Sequence, residues 1–202
     1  MNIIMTGSTS FVGAATVREL LRRGHTVTAI VRPKSSKLDT ILEGNEEALL
    51  SGRLLVTEND LSEPENLLEK VTKPQDVFCH FGWGGSGSAS RTDKALQEKN
   101  MEISLETIRT AKALGCKKFL FSGSQAEYGM HQDLITENTV CEPKSLYGEA
   151  KLAMREKGEK LCDELGLRYI HARIFSAYGP GDHPWTLEES CLDTFLSNKE
   201  MS

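Results

Sequence analysis

The chain has 202 residues, with 24 Lys+Arg against 29 Asp+Glu, a formal charge of −5, 39% apolar and 26% charged residues, a composition that fits one sizeable globular domain and excludes a disordered chain. Apolar runs such as Val77-Phe78-Cys79 and Phe119-Leu120-Phe121 fall far short of the roughly 20 residues that span a bilayer. Met1 to Met5 lacks the basic and apolar regions of a signal peptide, and no long Lys/Arg run marks a nucleic-acid surface. A soluble, cytoplasmic protein is expected, with no membrane and no nucleic acid as partner. Cys79, Cys116, Cys141, Cys162 and Cys191 form no close pair, which predicts reduced, mostly packed thiols and neither a disulfide framework nor a metal site.

Along the chain, short β-branched runs alternate with amphipathic stretches of helical length. Strands are predicted over Asn2 to Met5, Thr26 to Val31, Arg53 to Val56, Asp76 to His80, Lys117 to Phe121 and Arg168 to Arg173. Helices are predicted from Phe11 to Arg23, Glu63 to Lys70, Thr92 to Leu114 and Leu146 to Leu165, with Gly24, Gly115 and Gly166 as stops. Strand-helix alternation is the pattern of parallel βαβ units, so the fold class is α/β, a doubly wound parallel sheet of order 3-2-1-4-5-6. The Gly/Ser-rich tract Gly82 to Ser90 reads as a loop at the carboxyl edge, where ligands bind in such sheets. Beyond Arg173, Pro180, Gly181 and Pro184 break the chain before a short helix near Leu187 to Leu196. No internal repeat and no interdomain linker is apparent.

The first strand runs through Thr6-Gly7-Ser8-Thr9-Ser10-Phe11-Val12-Gly13 into a helix, a turn that presents free backbone N–H groups and a helix dipole to a dinucleotide pyrophosphate. Gly7 permits the turn and Gly13 permits close helix-strand packing, but Ser10 stands at the middle position. An ordinary strand-to-helix turn is the competing reading. Tyr147 and Lys151 lie four apart on the helix after the fifth strand, which puts both on one face and lets an ammonium lower the phenol pKa. The segment Phe121-Ser122-Gly123-Ser124-Gln125-Ala126-Glu127-Tyr128-Gly129 brings hydroxyls to the same edge.

These residues resemble the extended short-chain dehydrogenase/reductases, the NAD-dependent epimerase/dehydratase family of nucleotide-sugar enzymes, over nearly the whole chain. The likeness runs through the Thr6-to-Gly13 turn, Asp60-Leu61, His80-Phe81-Gly82, Asn100, Ser124, Tyr128-Gly129, Tyr147 to Lys151, and Arg173 followed by Tyr178-Gly179-Pro180-Gly181. The resemblance implies a Rossmann fold and a triad of Ser124, Tyr147 and Lys151, with Asp60 and Leu61 bracketing adenine. It also implies that His80, Phe81, Gly82 and Trp83 line the cofactor, joined by Gly7, Ser10, Phe11, Val12, Gly13, Asn100 and Ser122. Alternatives from the residues alone are a helix cap for Asp60, a hydrogen-bonded strand end for His80 and a core position for Trp83. The resemblance further implies residues 1–175 as the NAD(P)-binding domain and 176–202 as the start of a truncated substrate lobe.

Two departures bear on chemistry. The second strand ends Val31-Arg32-Pro33-Lys34-Ser35-Ser36-Lys37 with no acid for a ribose 2′-hydroxyl; Arg32, backed by Lys34, Ser35 or Lys37, would hold a 2′-phosphate, favouring NADP(H) over NAD(H), unless this is simply a solvated basic loop. Where dehydratases of the family resemble Thr-Asp-Glu, this chain has Ser124-Gln125-Ala126, so 4,6-dehydration is not expected. The resulting expectation is a 4-epimerase or 4-keto reductase taking a nucleotide sugar, with a homodimer as a candidate assembly; a non-catalytic NADP(H)-binding sensor or scaffold of the same fold is the alternative.

Overall fold

The computed structural model describes residues 1–85, 89–182 and 186–197. Ser86 to Ser88 of the Gly/Ser tract, Pro184, and residues 198–202 of the expected lobe lie outside the described residues.

In chain order the elements are β1 (Asn2–Thr6), α1 (Phe11–Arg22), β2 (Thr26–Val31), α2 (Asp39–Leu42), α3 (Glu46–Leu50), β3 (Leu54–Glu58), α4 (Leu67–Lys70), β4 (Val77–His80), α5 (Lys94–Ala113), β5 (Lys118–Ser124), α6 (Leu146–Leu165), β6 (Arg168–Ile174) and α7 (Leu187–Leu196). The strands form one six-stranded sheet of order β3-β2-β1-β4-β5-β6, and every pairing is parallel. This is the predicted order. Side chains alternate across the strands, so each face gathers its own core. Ile4, Ile30, Phe78, Phe119 and Phe121 meet Ile108 and Ala111 of α5 and Met154 and Cys162 of α6. On the other face Ile3, Met5, Val27, Ala29 and Val31 meet Ala14, Val17 and Leu21 of α1. Burying each large side chain contributes about 1.5–3 kcal/mol.

Two boundaries differ from expectation for local reasons. The helix expected over Glu63 to Lys70 is a tight 3₁₀ turn, Pro64–Asn66, followed by a single α-turn, because proline at the first position fixes the entry and only Pro64 and Leu67 are buried to hold the segment. β5 continues beyond Phe121 to Ser124, since β6 extends alongside it and pairs Ser122, Gly123 and Ser124 with Ala172, Arg173 and Ile174. Helices α2 and α3 were not legible as periodic segments; each is held by one buried residue, Ile41 and Ala48. Gly24, Gly115 and Gly166 all adopt positive φ at helix ends, as predicted. Cys79, Cys116 and Cys162 are buried free thiols, with burial pushing all three above the ordinary thiol range.

Candidate active site

The β1-to-α1 turn is built by sterics. Gly7 has φ +68°, and a Cβ there would stand 2.7 Å from the Phe81 carbonyl carbon and 2.8 Å from the Gly82 nitrogen, so only glycine lets β1 and the β4 loop approach this closely. At Gly13 an added Cβ would collide with the Gly7 carbonyl oxygen. Ser10 is the N-cap of α1: its Oγ accepts from Gly13 N at 3.1 Å and donates to the Gly7 carbonyl at 2.7 Å. The serine at the expected glycine position thus has a capping role of its own. The N–H groups of Phe11 and Val12, in the first turn, have no acceptor within the helix.

In front of this turn lies a cavity of about 430 Å³ whose walls include Gly7, Ser10, Arg32, Lys37, Asp60, Leu61, Phe81, Gly82 and Trp83. Of the residues expected around a cofactor, these come together. Asp60 accepts from the Ser62 amide at 2.8 Å and hydroxyl at 2.6 Å. Those bonds hold its carboxyl below the ordinary range, aided by the charges of Lys99 and Arg32. Asp60 lines the cavity and closes a local turn with Ser62; it does not cap the helical turn after Glu63, which has no side-chain cap.

Other expected contacts fall elsewhere. His80 is fully buried, with Nδ1 2.8 Å from Thr6 Oγ1 and Nε2 3.1 Å from Ser104 Oγ; burial holds its pKa down at about 3. It is a neutral, hydrogen-bonded strand end and does not line the cavity. Asn100 uses both ends of its amide on Gly84, donating to the carbonyl at 2.8 Å and accepting from the N–H at 3.0 Å, which shapes the loop from behind. Ser122 is buried, and its carbonyl accepts from Lys151 Nζ at 2.8 Å.

Tyr147 and Lys151 both pack on Trp83, a wall of the cavity, and Ser124 lies near Tyr147. Ser145 caps α6, accepting from Gly148 N at 3.1 Å. Gly148 has no room for a Cβ against the Ala126 carbonyl, so α6 can press on the turn after β5 and set Tyr147 close to Ser124, whose Oγ accepts from Ala126 N at 3.2 Å. Lys151 is 2% exposed. Its Nζ lies 3.9 Å from the Trp83 ring centre, 4.5 Å from that of Phe121 and 5.7 Å from that of Tyr147. Burial draws its pKa down to about 7, opposed by the charge of Glu127. Tyr147 and Lys151 share a face of α6 as expected, and the Lys151 ammonium donates to the Ser122 carbonyl. Burial pushes Tyr147 above the ordinary phenol range, partly offset by the Ser124 hydrogen bond and the charge of Arg91, while Glu127 adds to the rise.

Reading the sequence missed Glu127. Its side chain is 0% exposed; it accepts from Ser124 N at 2.8 Å and Arg173 Nε at 2.7 Å, and His171 Nε2 lies 2.9 Å away. Arg173 also donates to Tyr128 Oη at 2.8 Å, and Tyr169 Oη stands 3.0 Å from His171 Nδ1. Burial raises the Glu127 pKa, but His171, the Ser124 N–H and Arg173 outweigh it and hold the carboxyl below its ordinary value. Two signals were available: the Ser124-x-x-Glu127 spacing of a capping box, which is formed here, and the alternate positions of His171 and Arg173 on β6. Glu127 is fully committed to these partners and does not replace the carboxylates missing at Gln125 and Ala126. Among the described residues no cluster of ligands suited to a metal is found, and no helix is long and apolar enough to cross a membrane.

A doubly wound parallel sheet with a glycine turn facing a cavity at the carboxyl edge defines a dinucleotide-binding class of protein. Residues 3–199 match the family described as NAD dependent epimerase/dehydratase, and the chain belongs to that family. It is 30% identical over 175 residues to the dTDP-6-deoxy-L-talose 4-dehydrogenase (NAD(+)) of Aggregatibacter actinomycetemcomitans, covering 84% of this chain and 60% of the relative. It is 26% identical over 202 residues to the UDP-glucose 4-epimerase of Lactobacillus helveticus, covering 97% of this chain and 58% of the relative. The crystal structure of the UDP-glucose 4-epimerase of Thermotoga maritima with UDP-glucose shares the fold, with a TM-score of 0.81 at 24% identity over 100% of this chain and 65% of that one. The chain thus spans less than two thirds of the length of each of these relatives.

Proposed function

We propose that this chain is the cofactor-binding part of an NAD(P)-dependent enzyme that oxidises and reduces a nucleotide sugar at C4, as a 4-epimerase or a 4-keto reductase. The reading is carried by one juxtaposition: Ser124, Tyr147 and buried Lys151 sit together beside a cavity whose glycine turn leaves room for a pyrophosphate. The dinucleotide fits the residues present, since Gly7 and Gly13 let the turn pack tightly against the β4 loop and the start of α1, and the first-turn N–H groups of that helix lack acceptors within it. A bound nicotinamide supplies reversible hydride exchange with the sugar carbon. Tyr147 exchanges a proton with the C4 oxygen, Ser124 holds that oxygen by a hydrogen bond, and Lys151 anchors the nicotinamide ribose. The capping role of Ser10 accounts for its departure from glycine, which supports a working cofactor turn.

Arg32 and Lys37 both line the cavity, which supports NADP(H) over NAD(H) and, through a reducing cofactor pool, net reduction. Exposed Leu192, Phe195 and Leu196 on α7 support residues 176–202 as the opening of a second lobe. The test is a panel of nucleotide sugars and 4-keto sugars with each cofactor. Turnover that yields epimer or reduced sugar and no 4-keto-6-deoxy product is expected. Tight cofactor binding with no turnover of any member would transfer the assignment to a non-catalytic binding protein.

A further inference from the structure

We propose that Asn59, braced by Lys70, is a positioning residue: it sets the turn from which the Asp60 carboxylate selects an adenine base in the cofactor cavity. The proposal rests on reading that cavity as a dinucleotide site with Asp60 and Leu61 beside the base, and adds the residue that holds this wall. Among the described residues both hydrogen bonds to Asp60, from the Ser62 amide and hydroxyl, fall on Oδ1, which leaves Oδ2 to accept from a ligand. A carboxylate can only accept. The exocyclic amine of adenine can donate to it, whereas the oxo group of hypoxanthine at the same position cannot. Ile30, Leu61, Pro64 and Leu67 give this part of the cavity apolar walls, suited to the faces of a flat base.

Asn59 directly follows β3 and is 3% exposed. Its backbone N–H donates to the carbonyl of Val31, the last residue of β2, at 2.9 Å. Its side-chain Nδ2 donates to the carbonyls of Asp60 and Glu63, each at 2.8 Å, and its Oδ1 accepts from Lys70 Nζ at 2.9 Å. Two carbonyls can only accept and an ammonium can only donate, so the amide has a single orientation. Lys70, the last residue of α4, also donates to the Glu58 carbonyl at 2.9 Å. One side chain thus joins the two ends of the turn that carries Asp60, Leu61 and Ser62, and α4 locks that side chain from behind. Among the described residues the other donors to these two carbonyls are backbone N–H groups at longer range, Glu63 to Asp60 at 3.3 Å and Asn66 to Glu63 at 3.2 Å. The Asn59 amide is therefore the main tie across the turn.

The experiment measures dissociation constants of the full chain for NADH and NADPH, each against its hypoxanthine analogue. The wild type should prefer adenine by about tenfold or more, the size of a hydrogen bond to a charged group. Asn59→Ala should bring that ratio below about threefold. Asn59→Asp keeps the size and the bond from Lys70 but turns an acceptor toward both carbonyls, and it should lose the ratio as fully. A folding defect alone lowers both affinities by one factor and leaves their ratio in place, so the ratio separates positioning from mere support. A wild-type ratio in either Asn59 variant overturns the proposal. If neither variant folds, exposed Lys70 decides: Lys70→Met should at least halve the ratio and Lys70→Arg should restore it, whereas an unchanged ratio in Lys70→Met overturns the proposal. Failure of the underlying reading looks different. A wild type that binds neither reduced dinucleotide removes the cofactor site, and one that binds them without telling adenine from hypoxanthine removes the role of Asp60; the proposal falls with either.

Discussion

The two halves of the sheet handle charge in opposite ways. Around β1, β2 and β3 the charged groups facing the cavity, Arg32 and Asp60, are exposed and keep their water. Around β5, β6 and α6, Lys151 and Glu127 are almost wholly buried and Arg173 has only 11% of its side chain exposed. An exposed cation can be matched to a ligand phosphate at small cost to folding, but it holds no fixed geometry by itself. Buried charges are costly to desolvate and keep their place only when each is paired or hydrogen-bonded. The difference teaches how burial fixes geometry: the first half leaves its charges in water, open to what enters the cavity, and the second holds Lys151 and Glu127 in place by packing and hydrogen bonds.

The comparison breaks most visibly at Glu127. Glu127→Ala leaves Arg173 buried without its carboxylate and should cost about 3–5 kcal/mol in urea unfolding; a loss no greater than that of an ordinary surface substitution would show that the cluster is not held by this charge. Because the folded-state pKa of Glu127 is depressed, its contribution is present above the unfolded carboxylate pKa and is lost as pH falls through the folded value. Tyr147→Phe should come next. On a full-length protein it should keep cofactor binding and lose at least ~10²-fold in turnover, and wild-type turnover would remove Tyr147 from the mechanism.

Lys151→Met tests the same half from the opposite side. The folded pKa of Lys151 is about 7 against an ordinary 10.5, so between those values the unfolded chain holds a proton that the folded chain lacks. Stability therefore rises as pH climbs from about 7 toward 10.5, and the burial penalty is full below that window. Removing the amine should stabilise the fold by about 1–4 kcal/mol at or below neutral pH, with the gain shrinking as pH rises. A gain that does not vary with pH would mean that the lysine is not strained by burial. The exposed half should respond least. Arg32→Ala should leave folding unchanged and NAD(H) binding nearly so, while weakening NADP(H) by about 1.5–3 kcal/mol in calorimetry. Equal affinities for the two cofactors in the wild type would withdraw the role of Arg32.

Much of this was legible in the chain itself. The short apolar runs Asn2–Thr6 and Thr26–Val31, buried on both faces of the sheet, and the helical spacing in Phe11–Arg22 are patterns that a local stretch displays by itself. The glycine turn and the Tyr147–Lys151 spacing are local in the same way. Short helices α2 and α3 escaped because a segment held by one buried residue has no period to read.

What the sequence determined by itself was the class of fold and the face of α6 that carries Tyr147 and Lys151, since these depend on patterns within single elements; the strand order followed from the class through the connection rules of parallel sheets. Only the tertiary structure decided where those side chains point. Lys151 turns to Ser122, 29 residues away, Glu127 meets His171 and Arg173, 44 and 46 residues away, and Arg91 comes to lie over Tyr147. Such partners are chosen by strand pairing and helix packing, because a buried charge settles on whichever acceptor, ring or counter-ion the fold brings within reach.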